Sequence, residues 1–105
     1  MNPPSTSPSS GPPEITQHPR RQSGIYSSGI TFTVTAKGHG SLTYLWLKDD
    51  KPITSYEHLI FKEANTPSLQ IESFAPDYLG VYSCRVTDEA GRSAKSNGAE
   101  LSAGG

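Results

Sequence analysis

The run "ITFTVTAKG", residues 30–38, leaves the chain few folds to choose from. Ile30, Phe32, Val34 and Ala36 alternate with Thr31, Thr33 and Thr35. A period of two sets the apolar residues on one face of a strand and the threonines on the other, and β-branched side chains suit that pleated backbone. Such a strand has to bury its apolar face against a second layer. The same period returns in "LTYLWLKDDKP", with Tyr44 and Trp46 on one face before an Asp-Asp-Lys-Pro turn, and in "SLQIESF", with Leu69, Ile71 and then Phe74. In "VYSCRVTDEAG", Tyr82, Cys84 and Val86 are expected inward and Ser83, Arg85 and Thr87 outward. "EITQH", "HLIFKE" around Leu59 to Lys62, and "SAKSNGAELS" read as weaker strands. No segment sustains a helical period. Roughly seven to nine short strands, with turn formers about every 8 to 12 residues, describe an all-β antiparallel sandwich.

Ahead of the strands, "MNPPSTSPSSGPP", residues 1–13, offers no apolar side chain after Met1. It cannot offset its own ordering entropy and is expected to be a disordered Pro/Ser-rich tail or interdomain linker. The folded domain is expected over residues 14–102, with 103–105 as a C-terminal tail. A chain of 105 residues has room for one such domain. Nine basic and ten acidic residues leave a net charge of -1, which sets up no broad field toward nucleic acid or an anionic membrane. No apolar stretch approaches the roughly 20 residues of a membrane helix. Met1 opens a low-complexity run rather than a charged-then-apolar leader, so the N-terminus says little about compartment.

Catalytic, metal and cofactor chemistry find no purchase. His18, His39 and His58 fall in separate edges or loops with no Cys or carboxylate at ligand spacing. Asp49 and Asp50 are neighbours at a turn and are expected to supply turn geometry; calcium would need further carboxylates there. No serine sits in a strand-turn-helix elbow, and no Gly-rich phosphate loop precedes a helix. Arg20-Arg21 reads either as a contact for an acidic partner or as a solvated strand edge. The basic residues as a whole lack the stripe with interleaved aromatics that nucleic acid requires.

Trp46, the "SLQI" strand, the Gly80-x-Tyr82-x-Cys84 corner and the "DEAGRS" hairpin together resemble an immunoglobulin-like domain, most closely of the I-set type, from Pro12 to about Ser102. The resemblance implies a Greek-key β-sandwich with Trp46, Tyr82, Cys84, Val34 and Leu69 in the core. It also implies a corner in which the Tyr82 hydroxyl bonds back to the preceding loop. Three departures stand out. Val34 occupies the position of the usual second-strand cysteine, so Cys84 has no intramolecular partner. Tyr78 stands where the family usually has an acidic residue, which puts the usual ion pair in doubt. The last strand is about two residues longer than usual, and Asn97-Gly98 points to a bulge that absorbs the excess.

Cys84 is expected to pack as a small apolar residue; the competing reading is a reactive or intermolecular thiol, against which its inward parity argues. The contexts Asn65-Thr66-Pro67 and Asn97-Gly98-Ala99 are not glycosylation sequons. The unpaired thiol and missing sequon lean toward a cytoplasmic protein, while an extracellular setting stays open. The expected function is a non-catalytic protein–protein interaction module of a larger scaffold or signalling protein. A structural spacer in a tandem array and an extracellular adhesion module are the alternatives. Tyr56, His58, Arg92 and Lys95 are the expected contact residues, and Phe61 is expected to side with the core.

Overall fold

A computed structural model describes residues 12–38, 40–56 and 59–104. The expectations for the 1–11 stretch of the tail, for His39 and for His58 lie outside the described residues. Ten strands follow one another: β1 Glu14–Gln17, β2 Gln22–Gly24, β3 Ile30–Thr33, β4 Thr35–Lys37, β5 Thr43–Lys48, β6 Lys51–Pro52, β7 Ser68–Ile71, β8 Gly80–Thr87, β9 Ser93–Lys95 and β10 Ala99–Ala103. Among the described residues the 3₁₀ turns Ile53–Ser55 and Pro76–Tyr78 interrupt them. The larger sheet runs β2-β10-β8-β5-β6, with β9 also on β8; β1 pairs with β4, and β3 with β7.

The alternation read at 30–38 holds, but the run serves two partners. Residues 30–33 pair with β7, putting Phe32 opposite Leu69, and residues 35–37 pair with β1. Between them Val34 donates its N–H to Pro67 O at 2.9 Å. Ile30, Phe32 and Val34 are buried, as are Leu69 and Ile71 across from them. From the larger sheet come Trp46, Tyr82, Cys84, Val86 and Leu101. The two layers meet where Phe32 stacks on Tyr82 at 4.8 Å between centroids and lies tilted to Trp46 at 6.4 Å. Trp46 can be buried whole because its Nε1–H reaches Thr66 O at 2.8 Å.

The corner at the start of β8 is built as the resemblance implies. Tyr82 Oη donates to Tyr78 O at 2.7 Å. Tyr78, in the place of the usual acid, sends its own hydroxyl to the backbone of Ile60, accepting the Ile60 N–H at 3.0 Å. Its ring meets Phe61 edge-on at 5.6 Å. A neutral hydrogen bond and an aromatic contact thus tie the 60–61 segment to the corner where an ion pair was in doubt.

Three expectations change. Residues 59–62 form no strand; a single bridge joins Lys62 to Gln70. Pairing stops there because Glu63 turns the chain with φ +58, closing onto Thr66, whose N–H it accepts at 3.1 Å. The segment "SAKSNGAELS" is two strands rather than one. Arg85 faces Lys95 while Tyr82 faces Ala99, so one extra residue is accommodated between them. The buried Ser96 fills that gap by accepting the Cys84 N–H on its hydroxyl at 2.9 Å and returning its own N–H to Cys84 O. Finally β2, parallel to β10, was not foreseen, since Gln22, Ser23 and Gly24 include no apolar side chain and carry no periodic signal. Ser83 does turn away from Cys84, yet it is buried, as is Leu47 opposite it.

Candidate interaction surface

The Asp49-Asp50 pair closes the β5–β6 hairpin. With Lys48 paired to Lys51 and φ of +52 and +67 at the two aspartates, this is a two-residue turn of the kind whose twist matches the strands it joins. The Asp49 carboxylate then reaches β8, accepting the Val81 N–H at 2.9 Å. That contact explains Gly80: a Cβ there would come 2.9 Å from both Asp49 oxygens. Lys48, nearly buried, lies 3.4 Å from Asp49 and over the Tyr56 ring at 4.8 Å from its centroid. Tyr56 donates its hydroxyl to Lys48 O at 2.9 Å and is half-buried against the core. Together with Ile53, Thr54, Leu59, Phe61 and Ala64 it lines a shallow depression of about 220 Å³.

Arg92 and Lys95 do not converge with Tyr56. Arg92 belongs to the β8–β9 hairpin, where Asp88 gathers the turn: its carboxylate accepts the N–H of Ala90 at 2.9 Å, the N–H of Arg92 at 3.0 Å and Arg92 Nε at 3.1 Å. Burial pushes the Asp88 carboxyl up, but the Arg92 N–H and charge and the Ala90 N–H outweigh it, and the group ends below the ordinary carboxylate range. Lys95 is paired with Asp50 across the sheet. The two cations therefore hold hairpins in place. Of the histidines among the described residues, His18 accepts the Asn97 N–H at 3.0 Å, next to the bulge.

Cys84 is wholly buried and free, and burial pushes its thiol from 9.0 up to about 12. Val34 is buried in the same cluster. Among the described residues no three His, Cys, Asp or Glu side chains come together as a metal would need, and no helix is long and apolar enough to cross a membrane.

The described residues expose five large apolar side chains, Ile25, Tyr26, Ile60, Leu79 and Val81, and the first two are chain neighbours on the segment between β2 and β3. Ile25 and Tyr26 are adjacent and 60% and 73% exposed, far more than a core strand leaves uncovered. Phe74 holds the loop from beneath: its O accepts the Ser27 N–H at 2.9 Å and its N–H goes to Ser28 O at 2.9 Å. Just upstream Arg20 and Arg21 are exposed, and neither makes an ion pair with a described residue. Two cations without an ion pair among the described residues, close in sequence to two uncovered apolar side chains, make this segment the candidate contact surface, whereas Arg92 and Lys95 are engaged by Asp88 and Asp50. Sequence reasoning passed over Ile25 and Tyr26. Their signal is an apolar pair set between Gly24 and Gly29, outside any alternation.

Comparison with known proteins accords with the architecture. Residues 13–101 match the immunoglobulin I-set domain model. The muscle M-line assembly protein unc-89 of Caenorhabditis elegans is 34% identical over 83 residues, covering 76% of this chain and 1% of that protein. Tandem Ig repeats of Dlar superpose with a TM-score of 0.78 at 22% identity, over 94% of this chain and 49% of the other. An I-band fragment from titin gives 0.72 at 21%, over 89% and 32%. The titin z1z2 domains in complex with telethonin give 0.70 at 21%, over 90% and 48%. At these identities the structural likenesses show the fold alone.

Proposed function

The chain belongs to the immunoglobulin I-set family, and we propose that it is a non-catalytic protein-interaction module within a larger intracellular protein built from many such domains. Folds of this type carry function in their surfaces, so the reading rests on one: the Arg20, Arg21, Ile25 and Tyr26 patch. Its complement is a protein surface apolar at the centre and acidic at the rim, where Tyr26 would bury the most area and the arginines would set orientation. The muscle-assembly relative, of whose length this chain spans about 1%, supports a multidomain setting. A core that folds around a free, buried Cys84 supports a reducing compartment. Binding of one titin tandem to telethonin is said of titin; for this chain it supports only that such a sandwich can serve as a docking unit.

A spacer would present length and stiffness and nothing more. The two readings separate when the domain is replaced, within its parent protein, by an unrelated I-set domain of equal length. An interaction module predicts that the replacement fails to restore assembly, and that the native domain carrying Tyr26→Ser with Arg21→Glu fails as well. Full restoration by the unrelated domain would establish the spacer instead.

A further inference from the structure

We propose that Ser23 is a phosphorylation site for a basophilic serine/threonine kinase, one whose substrate cleft carries carboxylates for arginines two and three residues before the acceptor. Arg20-Arg21-Gln22-Ser23 supplies that spacing. Three physical requirements must then be met by the folded protein: cations free to enter acidic subsites, a hydroxyl not already engaged, and an extended backbone that can be lifted without unfolding the domain.

All three are met on one short segment. Arg20 and Arg21 are exposed and make no ion pair with a described residue, so the kinase competes only with water for them. Ser23 is exposed between a half-buried Gln22 and a buried Gly24, and its hydroxyl bonds to no other described residue. Strand β2 is extended, three residues long and at the edge of its sheet, where β10 is its one strand partner among the described residues. Pro19 before it has no N–H to anchor, and Ser27 beyond it turns the chain with φ +68. Beyond that pairing it is tied by Gln22 Nε2 on Thr31 O at 3.1 Å, by the Gly104 N–H on Gly24 O at 2.8 Å, and at its ends by the buried Pro19 and by Gly24 against the Phe74 ring, while Ser23 itself lies exposed between them. A three-residue strand at a sheet edge needs only local opening, which costs less than global unfolding, to present Ser23.

The rival serines fail one requirement each. Ser93 is exposed but follows a single arginine, Arg92, which Asp88 holds. Ser96 follows Lys95 and is buried. In the reaction the terminal phosphoryl group of Mg-ATP passes to Ser23 Oγ: the bond to the leaving ADP oxygen breaks, the ester forms, and the hydroxyl proton goes to the kinase's catalytic carboxylate. The product sets about -1.5 to -2 charges beside Arg20 and Arg21 and turns a cationic edge into a nearly neutral one. The site stands whether or not this edge docks a protein partner.

The test is to incubate the intact folded protein with Mg-ATP and the catalytic subunit of cyclic-AMP-dependent protein kinase, then to map phosphate by mass spectrometry of the intact chain and its fragments. Phosphate on Ser23 and none on Ser93 is expected. Arg20→Ala with Arg21→Ala should slow the initial rate by about tenfold or more while leaving the melting temperature unchanged, as befits two exposed side chains. Absence of phosphate from Ser23 in the folded protein overturns the proposal. So does a rate indifferent to the two arginines, or labelling that requires denaturant.

Discussion

Tyr82→Phe isolates the corner bond from everything else the ring does. Tyr82 is wholly buried, stacked on Phe32 and edge-on to Phe61 at 6.1 Å, and none of that packing involves its oxygen. The substitution deletes one O–H and leaves the Tyr78 carbonyl, 2.7 Å away, without that donor in a dry interior. A net hydrogen bond contributes about 1 kcal/mol, and an acceptor orphaned by burial raises the loss to about 1 to 3 kcal/mol. For a domain of this size each kcal/mol moves the melting point by about 4–8 °C, so a central loss of about 2 kcal/mol lowers it by about 8–16 °C. Urea denaturation followed through the single tryptophan, Trp46, reads the loss as a shift in midpoint at constant slope. Tyr78→Phe is the matched control. Its hydroxyl serves the Ile60 N–H, and Ile60 is 66% exposed, so water takes over and the cost stays below about 1 kcal/mol. Because Tyr82 bonds the backbone of Tyr78 and not its side chain, the double variant should be additive to within about 0.5 kcal/mol. A Tyr82→Phe cost below about 0.5 kcal/mol, or one equalled by Tyr78→Phe, would refute the assignment of the corner.

Four further outcomes are expected. Native protein at pH 8 should react with a thiol reagent only as fast as it unfolds, since Cys84 is buried with its pKa pushed up to about 12; prompt labelling would move Cys84 out of the core. Because the folded state keeps a thiol proton that the unfolded chain surrenders, stability is intact below about pH 9 and declines as pH rises toward about 12, and Cys84→Val should soften that alkaline decline in denaturation midpoints. Val34→Cys should form a disulfide with Cys84 on oxidation and stabilise the domain by about 2–4 kcal/mol, the range for closing a loop of this size; failure to oxidise would place the two side chains out of reach. For Asp88 the shift is downward, so its stabilising effect is present above the ordinary carboxylate range and lost as pH falls through the folded value. Asp88→Asn should therefore melt lower at neutral pH but lose less as pH falls below the ordinary carboxylate range.

Local alternation sufficed for the strands whose faces differ chemically. Residues 30–36, 69–71 and 82–86 could be oriented from the sequence because burying the opposite face would cost several apolar side chains at once. The same reasoning did not reach β2, the end of the pairing at Lys62, or the exposed Ile25 and Tyr26. Gln22, Ser23 and Gly24 have no apolar face to read. Whether they pair with β10 depends on where residues almost 80 positions later arrive. Lys62 alternates well enough, yet Glu63 turns the chain and ends the pairing. The sequence does not show that Asp88 and Asp50 face Arg92 and Lys95, whereas Arg20 and Arg21 form no ion pair with a described residue.

The sequence by itself determined that this is a two-layer β protein, that Trp46, Tyr82 and Cys84 share its interior, and that no disulfide can close across it, because those follow from period-two burial and from a single cysteine. Only the tertiary structure decided which charges remain unspent, which apolar residues stay uncovered and which strand lies at an open edge. Those are properties of pairing between segments distant in the chain, and a one-dimensional pattern carries no record of which segments meet.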